Sequence, residues 1–138
     1  MMTTLTDTGI FTLRQVLDPL DEAEGWPILD PYIEIVYGSI LGPTATQLVR
    51  MLDRMHRPTA KALVDIGEIA AVLGVKPSVA RSALGRLERF GVLRIAGTTI
   101  ILRGHLSPIR GRGLDRLPMM ARSYHEIAMR RRVVHSAA

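Results

Sequence analysis

The sequence predicts a mainly α fold with a small β-hairpin, an α+β domain that carries N- and C-terminal helical extensions. Three observations lead there. Apolar residues recur three and four apart through 66–73 and again through 77–87, the spacing that gathers them on one helix face. Gly74-Val75-Lys76 separates the two runs. Beyond Gly91, Leu93-Arg94-Ile95 and Thr99-Ile100-Ile101-Leu102 flank Ala96-Gly97-Thr98, two short strands around a tight turn in which Gly97 supplies the positive φ.

The remaining elements follow in chain order. Residues 12–20 place Leu13, Val16, Leu17 and Leu20 at helical spacing and predict a short helix. The acidic run Asp18, Asp21, Glu22 and Glu24 ends at Gly25. It is either a solvated face and loop, or a segment that folds over a neighbour's basic surface as an internal mimic of nucleic acid. Trp26-Pro27-Ile28-Leu29 forms an apolar anchor, and Asp30-Pro31 restarts a helix with Asp30 as its cap. Tyr32, Ile35, Val36, Ile40 and Leu41 lead to Gly42-Pro43, where the helix must break or restart. Ala45, Leu48, Val49, Leu52 and Met55 then keep helical spacing as far as His56-Arg57-Pro58-Thr59. Ala62-Leu63-Val64 is long enough for one short strand.

Asp65 starts the next helix, since its carboxylate can accept from the N–H three residues on while Glu68 reaches back. Ile69, Ala70 and Leu73 form its apolar face, and Gly74 can end it in the left-handed conformation. Pro77 suits a first helical position, and Ala80, Ala83, Leu84 and Leu87 place a second stripe against the first. A strand, two helices joined by a three-residue turn, and a hairpin make the plan of a winged helix-turn-helix domain.

The run from Ile69-Ala70-Ala71-Val72-Leu73-Gly74-Val75-Lys76-Pro77 through Leu87-Glu88-Arg89-Phe90-Gly91-Val92-Leu93 resembles the helix-turn-helix of MarR-like winged-helix regulators. The small Ala70 four residues before Gly74, and the Leu87-Glu88-Arg89 to Gly91-Val92 ending, carry the resemblance. It departs from the family pattern at Lys76, where a Ser or Thr cap is usual, and at Gly85, which costs about 1 kcal/mol relative to Ala inside a helix. A shorter stretch, Tyr32 and Tyr37 followed by Ile40-Leu41-Gly42-Pro43-Thr44-Ala45, resembles the opening of DnaD-type replication winged helices. Together these resemblances imply a DNA-binding fold whose second helix enters the major groove, in transcription or in replication.

Charge divides along the chain. Residues 1–42 hold seven Asp/Glu and one Arg, whereas 43–102 hold nine Lys/Arg against four acids, and 103–138 hold eight Arg against two. A basic domain is the electrostatic footprint of a polyanion binder, so double-stranded DNA is the expected partner and binding should weaken with salt. With Ala80, Ala83, Leu84 and Leu87 inward, Ser78, Val79, Arg81, Ser82, Gly85, Arg86 and Arg89 are left outward. Ser78, Val79, Arg81 and Ser82 are the candidates for base readout, with Arg81 able to bind guanine bidentately. Arg86 and Arg94 would hold phosphates, and Arg89 completes the basic face. Lys76 sets a cation at a helix start, which a bound phosphate would relieve. The wing tip has no cation, so Arg110-Gly111-Arg112-Gly113 could serve instead as an extended arm in the minor groove, or be a flexible linker.

The expected domains are an acidic N-terminal extension (1–30), the winged helix-turn-helix (31–103), a basic Gly/Pro-rich linker (104–117) and a C-terminal amphipathic basic helix (118–138). Leu117, Met120, Tyr124 and Ile127 would form the stripe of that last helix, which either makes a homodimer or packs back on the domain. No cysteine is present, which excludes a disulfide scaffold and a thiolate metal site. The four histidines lack metal-ligand spacing, and neither a phosphate-cradling glycine loop nor a Gly-x-Ser-x-Gly elbow occurs. The reading is a protein without cofactor or catalytic centre, cytoplasmic, with no segment that spans a bilayer. The same fold also serves as a protein-interaction module, docking a partner through the acidic N-terminus or the C-terminal helix.

Overall fold

The computed structural model describes residues 9–56 and 62–137. The elements are β1 (Ile10–Val16), α1 (Pro19–Glu24), β2 (Trp26–Pro27), a π-helical segment (Ile33–Tyr37) running into α2 (Gly38–Leu41), and α3 (Pro43–Met55). They continue with β3 (Ala62–Asp65), α4 (Ile66–Leu73), α5 (Pro77–Arg89), β4 (Leu93–Ala96), β5 (Thr99–Arg103), β6 (His105–Leu106), α6 (Arg112–Asp115) and α7 (Met119–Ala137). This is an α+β fold. A four-stranded sheet of order β3-β1-β5-β4 packs its inner face on the helices, and β2 pairs separately with β6.

The helix expected over 12–20 is corrected. Residues 10–16 form the strand β1, antiparallel to β3 and parallel to β5, in the interior of the sheet. Phe11 and Leu13 alternate inward at 0% and 2% exposure, so a period of two governs the segment. The helical spacing of Leu13, Val16, Leu17 and Leu20 is real, but obeying it would leave β3 without a partner strand and one edge of β5 unpaired; pairing wins, and Val16, Leu17 and Leu20 stay exposed. A helix starts only at Pro19, where Asp18 accepts from the Leu20 N–H at 2.8 Å. Residues 10–16 are therefore part of the domain and not of a separate extension.

The middle of the chain follows its local signals. Asp30 accepts from the Tyr32 N–H at 2.9 Å, and the helical run breaks at Gly42 (φ +86) before Pro43 opens α3. That helix ends at Met55, with His56 extended; the expected ending at Arg57-Pro58-Thr59 lies outside the described residues. Asp65 caps α4 through the Gly67 N–H at 2.8 Å, two residues on and not three. Gly74 (φ +75) ends α4 in the left-handed region, as only a residue without Cβ does cheaply. Ala80, Ala83, Leu84 and Leu87 of α5 are buried, and the β4–β5 hairpin turns at Gly97-Thr98 with Gly97 at φ +61.

Two further expectations change. Residues 104–117 are not a free linker: Leu106 pairs with Trp26, Leu106, Pro108 and Leu117 are buried, and Arg112–Asp115 is helical, so no extended arm forms. A Cβ at Gly25 would stand 2.2 Å from the Leu106 carbonyl oxygen, which shows how closely this segment lies on the body. In α7 the inward stripe is Ala121, Tyr124, His125 and Ala128, while Met120 and Ile127 are 80% and 43% exposed. The rotation follows from a buried junction. The Tyr32 hydroxyl accepts from the Ile109 N–H at 3.0 Å and lies 2.7 Å from His125 Nδ1, tying α7 to the π-helical segment and to the 104–117 stretch. Trp26 stacks on Tyr32 at 3.8 Å, so an aromatic cluster supplements an otherwise aliphatic core. Among the described residues no helix is long and apolar enough to cross a membrane.

Candidate nucleic-acid interface

Helix α5 runs against α3 and α4 through its alanine-leucine stripe, which fixes what its other sides present. At 3.6 residues per turn, Ser78, Ser82, Gly85 and Arg89 share the side opposite that stripe. Ser78, Ser82 and Arg89 are exposed. A Cβ at Gly85 would meet nothing within 4 Å, so no neighbour in the chain requires this glycine. Either flank is different in kind. On one, Arg81 lies seven residues before Glu88, and Glu88 accepts from the Ile95 N–H of β4 at 2.9 Å. On the other, Val79, Arg86 and Phe90 face the α2–α3 junction.

The ten candidate residues are thus sorted by environment. Lys76, Ser78, Ser82, Arg89, Arg94 and Arg112 are exposed, and none of their side chains makes a hydrogen bond or ion pair. Val79 is 41% exposed. Arg81 is only half-buried, yet its Nε is shielded from water and has no hydrogen-bond partner. Arg86 is turned aside: it donates to the Ile40 carbonyl at 2.8 Å and lies 5.4 Å over the Phe90 ring. Arg110 donates to Glu24 at 2.9 Å. Lys76 precedes α5 as its uncapped N-terminal residue, leaving the first N–H groups of that helix unmet by a side chain.

Sequence reasoning missed the partners of the remaining cations. Arg103 pairs with Asp21 and donates to the Gly91 carbonyl at 3.1 Å. Arg132 lies 4.5 Å over the Trp26 ring and donates to the carbonyls of Ala23 and Gly25, the open end of α1. Two residues of the acidic run, Asp21 and Glu24, thus lie on the chain's own arginines, while Asp18 and Glu22 stay exposed. The only signal for this in the sequence was the opposite charge of the two ends.

Titration is perturbed away from this surface. Burial raises the Tyr32 hydroxyl to about 12, and it pushes Tyr37 up as well, although the Tyr37 hydroxyl donates to the Ser107 carbonyl at 2.5 Å. Burial lowers His125 and raises Asp53, which accepts from Gln15 at 2.7 Å. These groups serve packing. Among the described residues no cluster of three or more His, Asp or Glu is placed to hold a metal ion. What the arrangement offers chemically is a row of unpaired cations and hydroxyls on one helix side and the adjoining strand, suited to phosphate oxygens and base edges. No family model, curated protein or solved structure matches the chain.

Proposed function

We propose that this chain is a DNA-binding protein of winged helix-turn-helix type, a transcriptional regulator that reads the major groove with α5. One observation carries the reading. Ser78, Ser82 and Arg89 line an exposed side of α5, with Lys76 at its start, and among the described residues these cations have no partner. A duplex would meet Ser78 and Ser82 at base edges and Lys76 and Arg89 at phosphates. Arg94 on β4 extends the phosphate contacts, and Arg81 contributes from the flank. On this reading β1 is an addition to the winged-helix plan, entering the sheet between β3 and the β4–β5 hairpin.

A homodimer suits this reading, because two recognition helices then address two half-sites. Met119 and Met120 are 85% and 80% exposed on α7, a surface suited to a second copy. The test is fluorescence anisotropy on a pool of random genomic duplexes at several salt concentrations, with the natural chain beside Arg89→Ala and Arg81→Ala. Affinity that falls with salt, and falls further in Arg89→Ala, supports DNA readout. Absence of binding at low salt, or indifference to both substitutions, rejects it.

A further inference from the structure

Beside the α5 face proposed for DNA runs a groove of different chemistry. Two clefts of 430 and 560 Å³ lie in series along the Val79–Arg86–Phe90 flank of α5, and both are lined by Ser39, Ile40 and Arg86. The floor of the groove is apolar. Ile40, Val79 and Ala83 line one half; Tyr37, Phe90 and Ile109 line the other. Its charged lining is entirely of one sign, comprising Arg86 and Arg89 in the first half and Arg86, Arg110 and Arg116 in the second, with no carboxylate in either. Val79 and Phe90 are eleven residues apart, so the groove follows α5 for about 16 Å at 1.5 Å per residue.

We infer that this groove docks an acidic amphipathic helix of a partner protein, with apolar side chains on the floor and carboxylates against the arginine rim. Charge complementarity selects the occupant. Apolar side chains such as Phe90, left 48% exposed, ask for an apolar stripe, and the exposed Arg89 and Arg116, in a lining that holds no acid, ask for carboxylates beside that stripe. The chain already shows the rim accepting this chemistry, since Glu24 of its own acidic helix α1 sits on Arg110 at 2.9 Å. The length, about three helical turns, matches a helix whose contacts recur at i, i+4, i+7 and i+11. A small molecule fits less well, because a compact ligand is enclosed on most sides and this groove leaves Val79 and Phe90 open to water. A duplex fits less well too, because phosphates have no use for the apolar floor.

The probe is a fluorescein-labelled helical peptide of about 14 residues, with Leu along one stripe and Glu beside it. A scrambled peptide of the same composition and one with Lys for Glu serve as comparisons, all titrated without DNA. Success or failure is thus independent of the α5 reading. Expected are saturable binding of the amphipathic peptide, none of the Lys version, and weakening of about fivefold or more in Phe90→Ala and in Arg116→Glu. Phe90 and Arg116 are both exposed, and circular dichroism confirms that each variant keeps its helices. The proposal is overturned if the amphipathic peptide does not bind, if the scrambled peptide binds equally well, or if neither folded variant weakens binding.

Discussion

The arginines on and after α5 and those after the hairpin carry the same charge and meet different fates. Among the described residues Arg89 and Arg94 have no partner, whereas Arg103, Arg110 and Arg132 are each engaged by α1 and its cap, through Asp21, Glu24 and the carbonyls of Ala23 and Gly25. The two sets are adjacent in the fold and nearly indistinguishable in composition. What separates them is a six-residue acidic helix held in place by Trp26, whose ring stacks on Tyr32 and seats the Arg132 guanidinium. Net charge says how many cations a chain has, and the fold decides how many remain available to a partner.

The strongest way to break this contrast is to remove its anchor. Trp26→Ala takes away a nearly buried ring and should cost about 3–5 kcal/mol in chemical denaturation, with Arg132 losing its seat; a loss under about 1 kcal/mol would mean that α1 is held by its ion pairs alone. Next in size, the double variant Arg89→Ala/Arg94→Ala should lower DNA affinity about tenfold at low salt and reduce the log–log salt slope by about two. Arg103→Ala, already paired, should lower it far less. If the two variants fall together, the division between free and engaged cations is wrong.

Smaller effects sharpen the picture. Gly85→Ala fills open space on α5 and should stabilise the fold by about 0.5–1 kcal/mol. If DNA backbone approaches closely there, the same change weakens duplex binding while the melting temperature rises. Glu24→Gln frees Arg110 and should raise DNA affinity by about threefold with a steeper salt dependence, at a stability cost under about 1 kcal/mol because the pair is largely exposed. The smallest effect concerns His125. Burial holds its folded pKa below the unfolded value of about 6.5, so the folded state resists protonation and the neutral imidazole can accept a hydrogen bond from the Tyr32 hydroxyl. Stability is therefore full above about pH 6.5 and declines as pH falls through that value toward the folded pKa. In His125→Gln, melting curves at pH 7.5 and 5.5 should differ less than they do in the natural chain.

Much of the centre of this chain was legible because its signals are local. Asp65, Gly74 and Pro77 mark helix boundaries through backbone geometry that needs no distant partner, and Ala80, Ala83, Leu84 and Leu87 declare their face by period alone. Residues 10–16 mislead for the opposite reason. Their strand exists only because β3 and β5 flank it, and a span with apolar residues at both helical and alternating spacing cannot announce which partner will arrive. The candidate site divides the same way. The exposed row Ser78, Ser82 and Arg89 was readable, whereas the diversion of Arg86 to Ile40 and of Arg110 to Glu24 depends on contacts 46 and 86 residues apart. In α7, Met120 was placed inward by spacing, but the Tyr32–His125 contact turns the helix away from it.

The interior position of β1 also orders events during synthesis. Thr12 pairs with Thr99 and Val16 with Arg103, so the strand made first must wait on the order of ninety residues for one of its two neighbours. Until the hairpin has emerged, β1 has β3 alone to pair with, and its other edge is an open row of amides and carbonyls. The helix pair α4–α5, built from near neighbours, forms without that delay. Collapse of the nascent chain should therefore nucleate in 66–89, with closure of the sheet as the late, slow and aggregation-exposed step.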